Sequence, residues 1–184
     1  MRPVKSEEIL ETRRAVLEPI HIRHAESVYE YLLDQRLYRF IPRDPPESLK
    51  TLEERYRVLS SRVSPDSREV WLDWAMKLRG SGGYVGMMEA TVREESAETV
   101  AYVAYTVFVL FQRRGFAAEG CGRIIRHLLE DYGVEVVAAE IDTRNTASVA
   151  SLGFERVATV PNADFFKGAS SDEYRYELRR AARG

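Results

Sequence analysis

With 184 residues, the chain is long enough for one well-packed domain and short for two. Its 45% hydrophobic and 30% charged content suits a soluble globular protein, and a formal net charge of -2 gives no overall attraction to nucleic acid, so no direct nucleic-acid partner is expected. The single cysteine, Cys121, excludes an internal disulfide, no apolar run approaches the ~18 residues of a membrane span, and the N-terminus lacks the apolar centre of a secretory signal; a cytoplasmic protein with no membrane partner is expected.

Residues 1–12 are polar and read as a loose arm. Arg13 to Ile20 predicts a first strand, closed by Pro19. A helix is predicted over His24 to Leu33, with Ala25, Val28, Tyr29 and Leu32 on one face. His21, His24 and His127 have no second cysteine to complete a zinc set, so surface or capping histidines are expected, with no metal. Tyr38 to Pro42 reads as an aromatic loop. Asp44 then reads as an N-cap, with Pro45 at the first helical position and Glu47 in the first turn. The helix that follows carries Leu49, Leu52, Tyr56 and Leu59 at helical spacing and is expected to end near Ser64 and Pro65.

The character changes at Val70. Trp71 to Leu78 and Tyr84 to Val92 predict a hairpin about the turn Gly80-Ser81-Gly82-Gly83. Glu94 to Glu98 form another polar turn. Thr99 to Leu110, rich in Val, Tyr, Ala and Phe, reads as a central strand buried on both faces. Phe111 to Ala117 interrupts it with charge and glycine. Cys121, Ile124, Ile125, Leu128, Leu129 and Tyr132 then trace the apolar stripe of a helix ending at Gly133, with Cys121 as core packing. Val134 to Ile141 reads as an apolar strand, and a short helix is expected from about Asn145. Phe154 to Val160 and Glu173 to Leu178 complete the set. No internal repeat is visible, and the element order gives a mixed α/β sheet in one domain, 1–184.

The chemistry concentrates where the buried strand meets the Cys121 helix. Such a junction aims free backbone N–H groups and the positive end of a helix dipole at one point, where an anion satisfies several donors together. Gly115 leaves room for close approach, Ala117 is small for the same reason, and Arg113 and Arg114 add positive charge. The segment is neither a Walker loop nor a three-glycine dinucleotide turn.

Gln112-x-x-Gly115-x-Ala117 resembles the pyrophosphate-binding motif of the GCN5-related N-acetyltransferase (GNAT) superfamily. Arg13 to Pro19 is similar to that family's opening strand, and Gln35 to Pro42 to a loop of its RimJ/RimL branch, which acetylates ribosomal-protein N-termini. Asn145-Thr146-Ala147-Ser148, followed by Leu152-Gly153-Phe154, is similar to a later motif of that branch.

The resemblance implies an α/β (α+β) fold: a mixed, mostly antiparallel central sheet of six to seven strands flanked by about four helices. It implies an N-acetyltransferase that moves acetyl from acetyl-CoA to a primary amine, such as a protein N-terminus or a small molecule, in a ternary complex. A homodimer is compatible with it. N–H groups of Arg113, Arg114, Gly115, Phe116, Ala117 and Ala118, with Gln112, would hold the CoA pyrophosphate. Val107, Phe108 and Val109 would pair with pantetheine and offer an N–H to the thioester carbonyl. Asn145 would bond the pantetheine arm, and Ser148 would protonate the leaving thiolate. The base that deprotonates the amine is expected to be Glu140, then Glu89, then Asp73.

Two departures from the branch stand out. Valine occupies position 109, where proline usually splays the strand, so longer pairing and a narrower slot are expected. The interval from Ser148 to Leu152 is shorter by about three residues, close to one helical turn. That shortening also leaves open a CoA-binding sensor or interaction module without transferase activity.

Overall fold

A computed structural model of the chain describes residues 8–145 and 153–181. The strands are β1 Leu10–Glu11, β2 Ala15–Pro19, β3 Val70–Leu78, β4 Tyr84–Glu95, β5 Glu98–Val107, β6 Val136–Asp142, β7 Glu155–Phe166 and β8 Ala169–Arg179. The helices are α1 His24–Leu32, α2 Leu49–Leu59 and α3 Phe116–Arg126, the last continued by a widened π turn over His127–Tyr132 and closed by Gly133 at φ 79°. One eight-stranded sheet runs β1-β2-β3-β4-β5-β6-β8-β7. Every neighbouring pair is antiparallel except β5 with β6.

Strand periodicity divides the core into two layers. Leu72, Trp74 and Met76 of β3, with Met88, Ala90 and Val92 of β4, bury against Cys121, Ile124 and Leu128 of the α3 segment. The alternate residues Ala75 and Met87 face Ala25, Val28 and Leu32 of α1 and Leu52 and Tyr56 of α2. Each large apolar side chain so enclosed contributes roughly 1.5–3 kcal/mol.

The sheet opens where β5 and β6 separate. Their parallel register runs from Val100 opposite Val136 to Tyr102 opposite Ala138, yet β5 continues to Val107 and β6 to Asp142. Val109 therefore does not extend the pairing, contrary to the sequence expectation. It begins a 3-10 turn, Val109–Phe111, after the ladder has already stopped. The end of β5 is instead drawn toward β4 and α1. Phe108 donates its N–H to the Val85 carbonyl at 2.9 Å, and its fully buried ring stacks on Tyr31 at 4.8 Å. Gly86 permits this approach, because a Cβ there would overlap the Thr106 carbonyl oxygen.

Several local expectations change. Leu10 is fully buried and β1 pairs with β2, so the N-terminal arm is docked by this point. The N-cap of α2 is Ser48, whose side chain accepts from the Thr51 N–H at 3.1 Å, and not Asp44. Pro46 biases Pro45 away from helical geometry, and the helix begins only after Ser48, which is itself extended. The same helix stops at Leu59, short of Ser64. β5 is not buried on both faces throughout: Ala104 is exposed beside the gap. β7 and β8 form a longer hairpin than expected, turning at Lys167 and Gly168. His24 and His127 are buried rather than superficial, and Glu18 Oε2 lies 3.1 Å from His24 Nε2. The expected helix from Asn145 falls largely outside the described residues.

Candidate active site

At the junction of β5 and α3 the backbone turns sharply. Gly115 is the N-cap of α3 at φ 78°, a conformation that favours glycine, and Arg113 is also left-handed at φ 60°. Among the described residues, the N–H groups of Arg113, Arg114, Gly115, Phe116, Ala117 and Ala118 have no protein acceptor. They are the orphan donors of a helix start, and the dipole adds positive potential in the same direction. The arrangement suits a phosphate or diphosphate.

The corner is braced from both sides. Gln112, exposed on its outer side, donates Nε2–H to the Val107 carbonyl at 3.0 Å and so closes the turn. Arg14 donates its backbone N–H and Nε–H to the Glu119 carboxylate at 2.7 and 2.6 Å, and Nη1–H to the Arg114 carbonyl at 2.9 Å. Its guanidinium lies 4.3 Å over the buried Phe116 ring. Burial alone would raise the Glu119 carboxyl, but the hydrogen bonds from Arg14 hold it below the usual carboxylate range. Sequence reasoning missed this brace, because partners about a hundred residues apart leave no local pattern.

Next to the corner, the gap between β5 and β6 is a cleft of about 240 Å³. Val103 to Thr106 line one wall, Ala139 to Asp142 with Asn145 the other, and Cys121 and Phe154 close it. Cys121 is buried, with Sγ 4.0 Å from Met88 Sδ, in keeping with a packing role. Asn145 donates its backbone N–H to the Asp142 carbonyl at 2.8 Å. Lys167, at the tip of the β7–β8 hairpin, donates to the Tyr38 carbonyl, which ties the hairpin to the aromatic loop.

A second cavity of about 320 Å³ lies between the sheet and α1 and α2. Leu52, Tyr56 and Met87 give it apolar walls, and Ile41, Arg43, Glu89 and Thr106 line both cavities. Glu89 therefore stands where the two meet, with Arg43 Nη2 at 3.9 Å. Asp73 lies opposite Glu89 in the β3–β4 register and is buried. Burial first, and then the charge of Glu89, push its carboxyl well above the usual range.

The structure thus places Glu89 in both cavities, Asp73 in the second and Asn145 in the cleft, whose β5 wall leads toward the corner at Arg113 to Ala118. Glu140 also lines the cleft, but its carboxylate is 40% exposed and lies 3.8 Å from Arg175 Nη1. Glu173, which the sequence did not single out, shares the cleft. Burial and the nearby carboxylates of Asp164 and Glu140 push its carboxyl up to about 7. Ser148 lies outside the described residues. Chemically, these parts offer an anion grip at the corner, a strand edge along β5, and a carboxylate beside the second cavity.

Comparison with known proteins gives a consistent picture. The model of the family described as "Acetyltransferase (GNAT) domain" matches residues 14–155. The uncharacterised N-acetyltransferase YoaA of Bacillus subtilis is 20% identical over 176 residues, covering 92% of this chain and 96% of the relative. The ribosomal-protein-S5-alanine acetyltransferase of Vibrio fischeri superposes with a TM-score of 0.80 at 14% identity, covering 94% of this chain and 97% of the other. An acetyl transferase of Salmonella typhimurium, described as modifying an N-terminal serine of a 50S ribosomal subunit protein, gives 0.79 at 14% identity, covering 94% and 99%.

Proposed function

The chain belongs to the GNAT acetyltransferase family, whose members use acetyl-CoA, and on that premise we propose that it acetylates a primary amine seated in the pocket beside Glu89. The observation that carries this reading is the set of unpartnered N–H groups from Arg113 to Ala118, opening beside the β5–β6 cleft. The diphosphate of acetyl-CoA sits on those donors, with Arg113 and Arg114 adding charge. Pantetheine runs along the edge of β5, where Asn145 bonds the arm and the backbone near Val107, Phe108 and Val109 faces the thioester. An N–H there, other than that of Phe108, which is given to the Val85 carbonyl, steadies the developing oxyanion.

An amine attacks only when neutral, so a carboxylate must take its proton, directly or through water. Glu89 fits this role better than Glu140, because it lines both cavities while Glu140 is turned to Arg175. Ser148, carried over from the family motif, protonates the departing thiolate. The acceptor is a peptide N-terminus of the kind handled by the RimJ/RimL branch, a reading supported by the fold of the ribosomal-protein acetyltransferases. We also read residues 1–184 as one cytoplasmic catalytic domain.

Titration of the purified protein with acetyl-CoA, followed by a screen of amines and N-terminal peptides for thiol release, tests the proposal. Saturable binding followed by turnover is expected. Failure of any CoA species to bind at millimolar concentration ends it.

A further inference from the structure

The wall of the proposed acceptor pocket holds a group that the reaction as proposed does not use. Asp73 is only 6% exposed, and its Oδ2 is buried with no hydrogen-bond partner among the described residues. Its backbone is fixed, since the Asp73 carbonyl accepts from the Ile20 N–H at 2.8 Å and from Arg62 Nη1 at 3.2 Å. It nevertheless lines the cavity, beside the apolar Leu52, Tyr56 and Met87. A buried acceptor left unsatisfied is costly, and in native proteins such a group commonly marks a functional contact.

Its position limits what the contact can be. Asp73 and Glu89 are register partners, so their side chains leave the sheet on the same face, ~5 Å apart at Cβ. A molecule with its amine at Glu89 therefore reaches Asp73 with a group on the next carbon or two. Charge narrows the choice further. Arg43 and Arg55 also line the cavity, and with Arg62 they act electrostatically on Asp73. Burial and the charge of Glu89 outweigh those guanidinium groups and hold Asp73 toward its neutral form, so a second ammonium meets little negative charge there, whereas a neutral donor fits.

Resting on the assignment of Glu89 to the reacting amine, we propose that Asp73 determines specificity by accepting a hydrogen bond from a hydroxyl or amide donor carried next to that amine on the acceptor. The simplest such chemistry is a 2-amino alcohol, whether a free molecule or the first residue of a peptide. A site built to bond a hydroxyl rejects the analogue that lacks it far more strongly than an apolar pocket discriminates by size.

The test uses the full chain saturated with CoA and calorimetric titration with matched probes. One pair is 2-aminoethanol against n-propylamine; the other is a short peptide beginning with serine against the same peptide beginning with alanine. The hydroxylated member should bind at least about tenfold more tightly in at least one pair. A preference confined to the peptides assigns the donor to an N-terminal residue, and one present with the small amines assigns it to a free amino alcohol. In Asp73→Ala and Asp73→Leu, neither of which has a side-chain acceptor, the preference should fall to about twofold or less, while the unhydroxylated probes and CoA keep their affinities. If the alanine variant does not fold, the leucine variant, which keeps the volume, decides. The inference is overturned by equal binding within both pairs in the wild type, by a preference that survives substitution, or by no binding of any probe at millimolar concentration. CoA saturation without hydroxyl preference sinks the role of Asp73 alone. A protein that does not bind CoA sinks the acetyl-transfer reading itself.

Discussion

The two ends of the candidate site are made of different material. At the β5–α3 corner the groups on offer are backbone N–H donors, and the side chains of Arg14 and Gln112 brace them. In the proposed acceptor pocket the groups on offer are side chains, Glu89 and Asp73, delivered by neighbouring strands. A backbone site depends on chain geometry, so it tolerates many residues but demands glycine at one place. A side-chain site depends on the sheet register, so exchanging one residue changes its chemistry without changing its shape. Damage to the two ends should therefore separate cleanly in experiment.

The largest expected effect is on the side-chain end. Glu89→Gln keeps the volume and removes the base, so acetyl transfer should fall about 10²- to 10⁴-fold. The affinity for CoA should not change, and steady-state rates beside calorimetric binding measure both. A parallel loss of CoA affinity would break the division drawn above. The next effect belongs to the corner. Gly115→Glu places a carboxylate among the phosphate donors and forces a non-glycine residue into φ 78°. Affinity for CoA should drop on the order of 100-fold, about 3 kcal/mol, with the circular dichroism spectrum retained. Unchanged affinity would show that the corner is not the donor site.

The same contrast explains what could be read in advance. Gly115 was legible because a glycine between a buried strand and an amphipathic stripe has few local explanations, and the strand, turn and helix are contiguous. The β3–β4 hairpin was legible from the glycine-rich turn between two apolar runs, and α3 from the stripe through Cys121, Ile124 and Leu128, while the division of the core into two layers came only with the fold. The pairing of Asp73 with Glu89 was not legible, since each is an isolated carboxylate in an apolar run until the register sets them opposite. Proximity in sequence to Asn145 favours Glu140 as the base, whereas the position of Glu89 between the two cavities becomes visible only in the fold. The divergence of β5 and β6 was hidden for a related reason. It is driven by Phe108 docking on Tyr31 and by the absence of a side chain at Gly86, and neither has a signature at Val109. Ser48 was overlooked as the α2 cap because Asp44 and Pro45 imitate a helix start.

Two glycines outside both ends sharpen the separation between geometry and chemistry. Gly86→Ala drives a Cβ into backbone atoms of Thr106 and Val107, which cannot move without shifting β5. A stability loss of about 2 kcal/mol is expected in urea unfolding, together with weaker CoA binding. Gly120→Ala also crowds its neighbour, but that neighbour is the end of the flexible Met88 side chain. Relaxation of Met88, with the better helix propensity of alanine, should hold the change to about 1 kcal/mol or less in either direction. Equal losses in the two variants would mean that the β4–β5 approach has no special bearing on the cleft.

The smallest effect concerns the brace of the corner and is read through pH. Hydrogen bonds from Arg14 hold the Glu119 carboxyl below its ordinary value of 4.5, against the opposing effect of burial. The unfolded chain therefore takes up a proton on this group at higher pH than the folded chain does. Stability from the pair is complete above about pH 4.5 and is lost as pH falls through the depressed value of the folded state. Arg14 is 35% exposed, so solvent screening limits the contribution to about 1 kcal/mol or less. In urea unfolding, wild type should exceed Glu119→Gln by that margin at neutral pH, and the difference should shrink on acidification below pH 4.5. A difference independent of pH would mean that Glu119 acts by shape rather than charge. Arg14 would then hold the Arg114 carbonyl without help from the ion pair, and the corner would owe its geometry to the backbone alone.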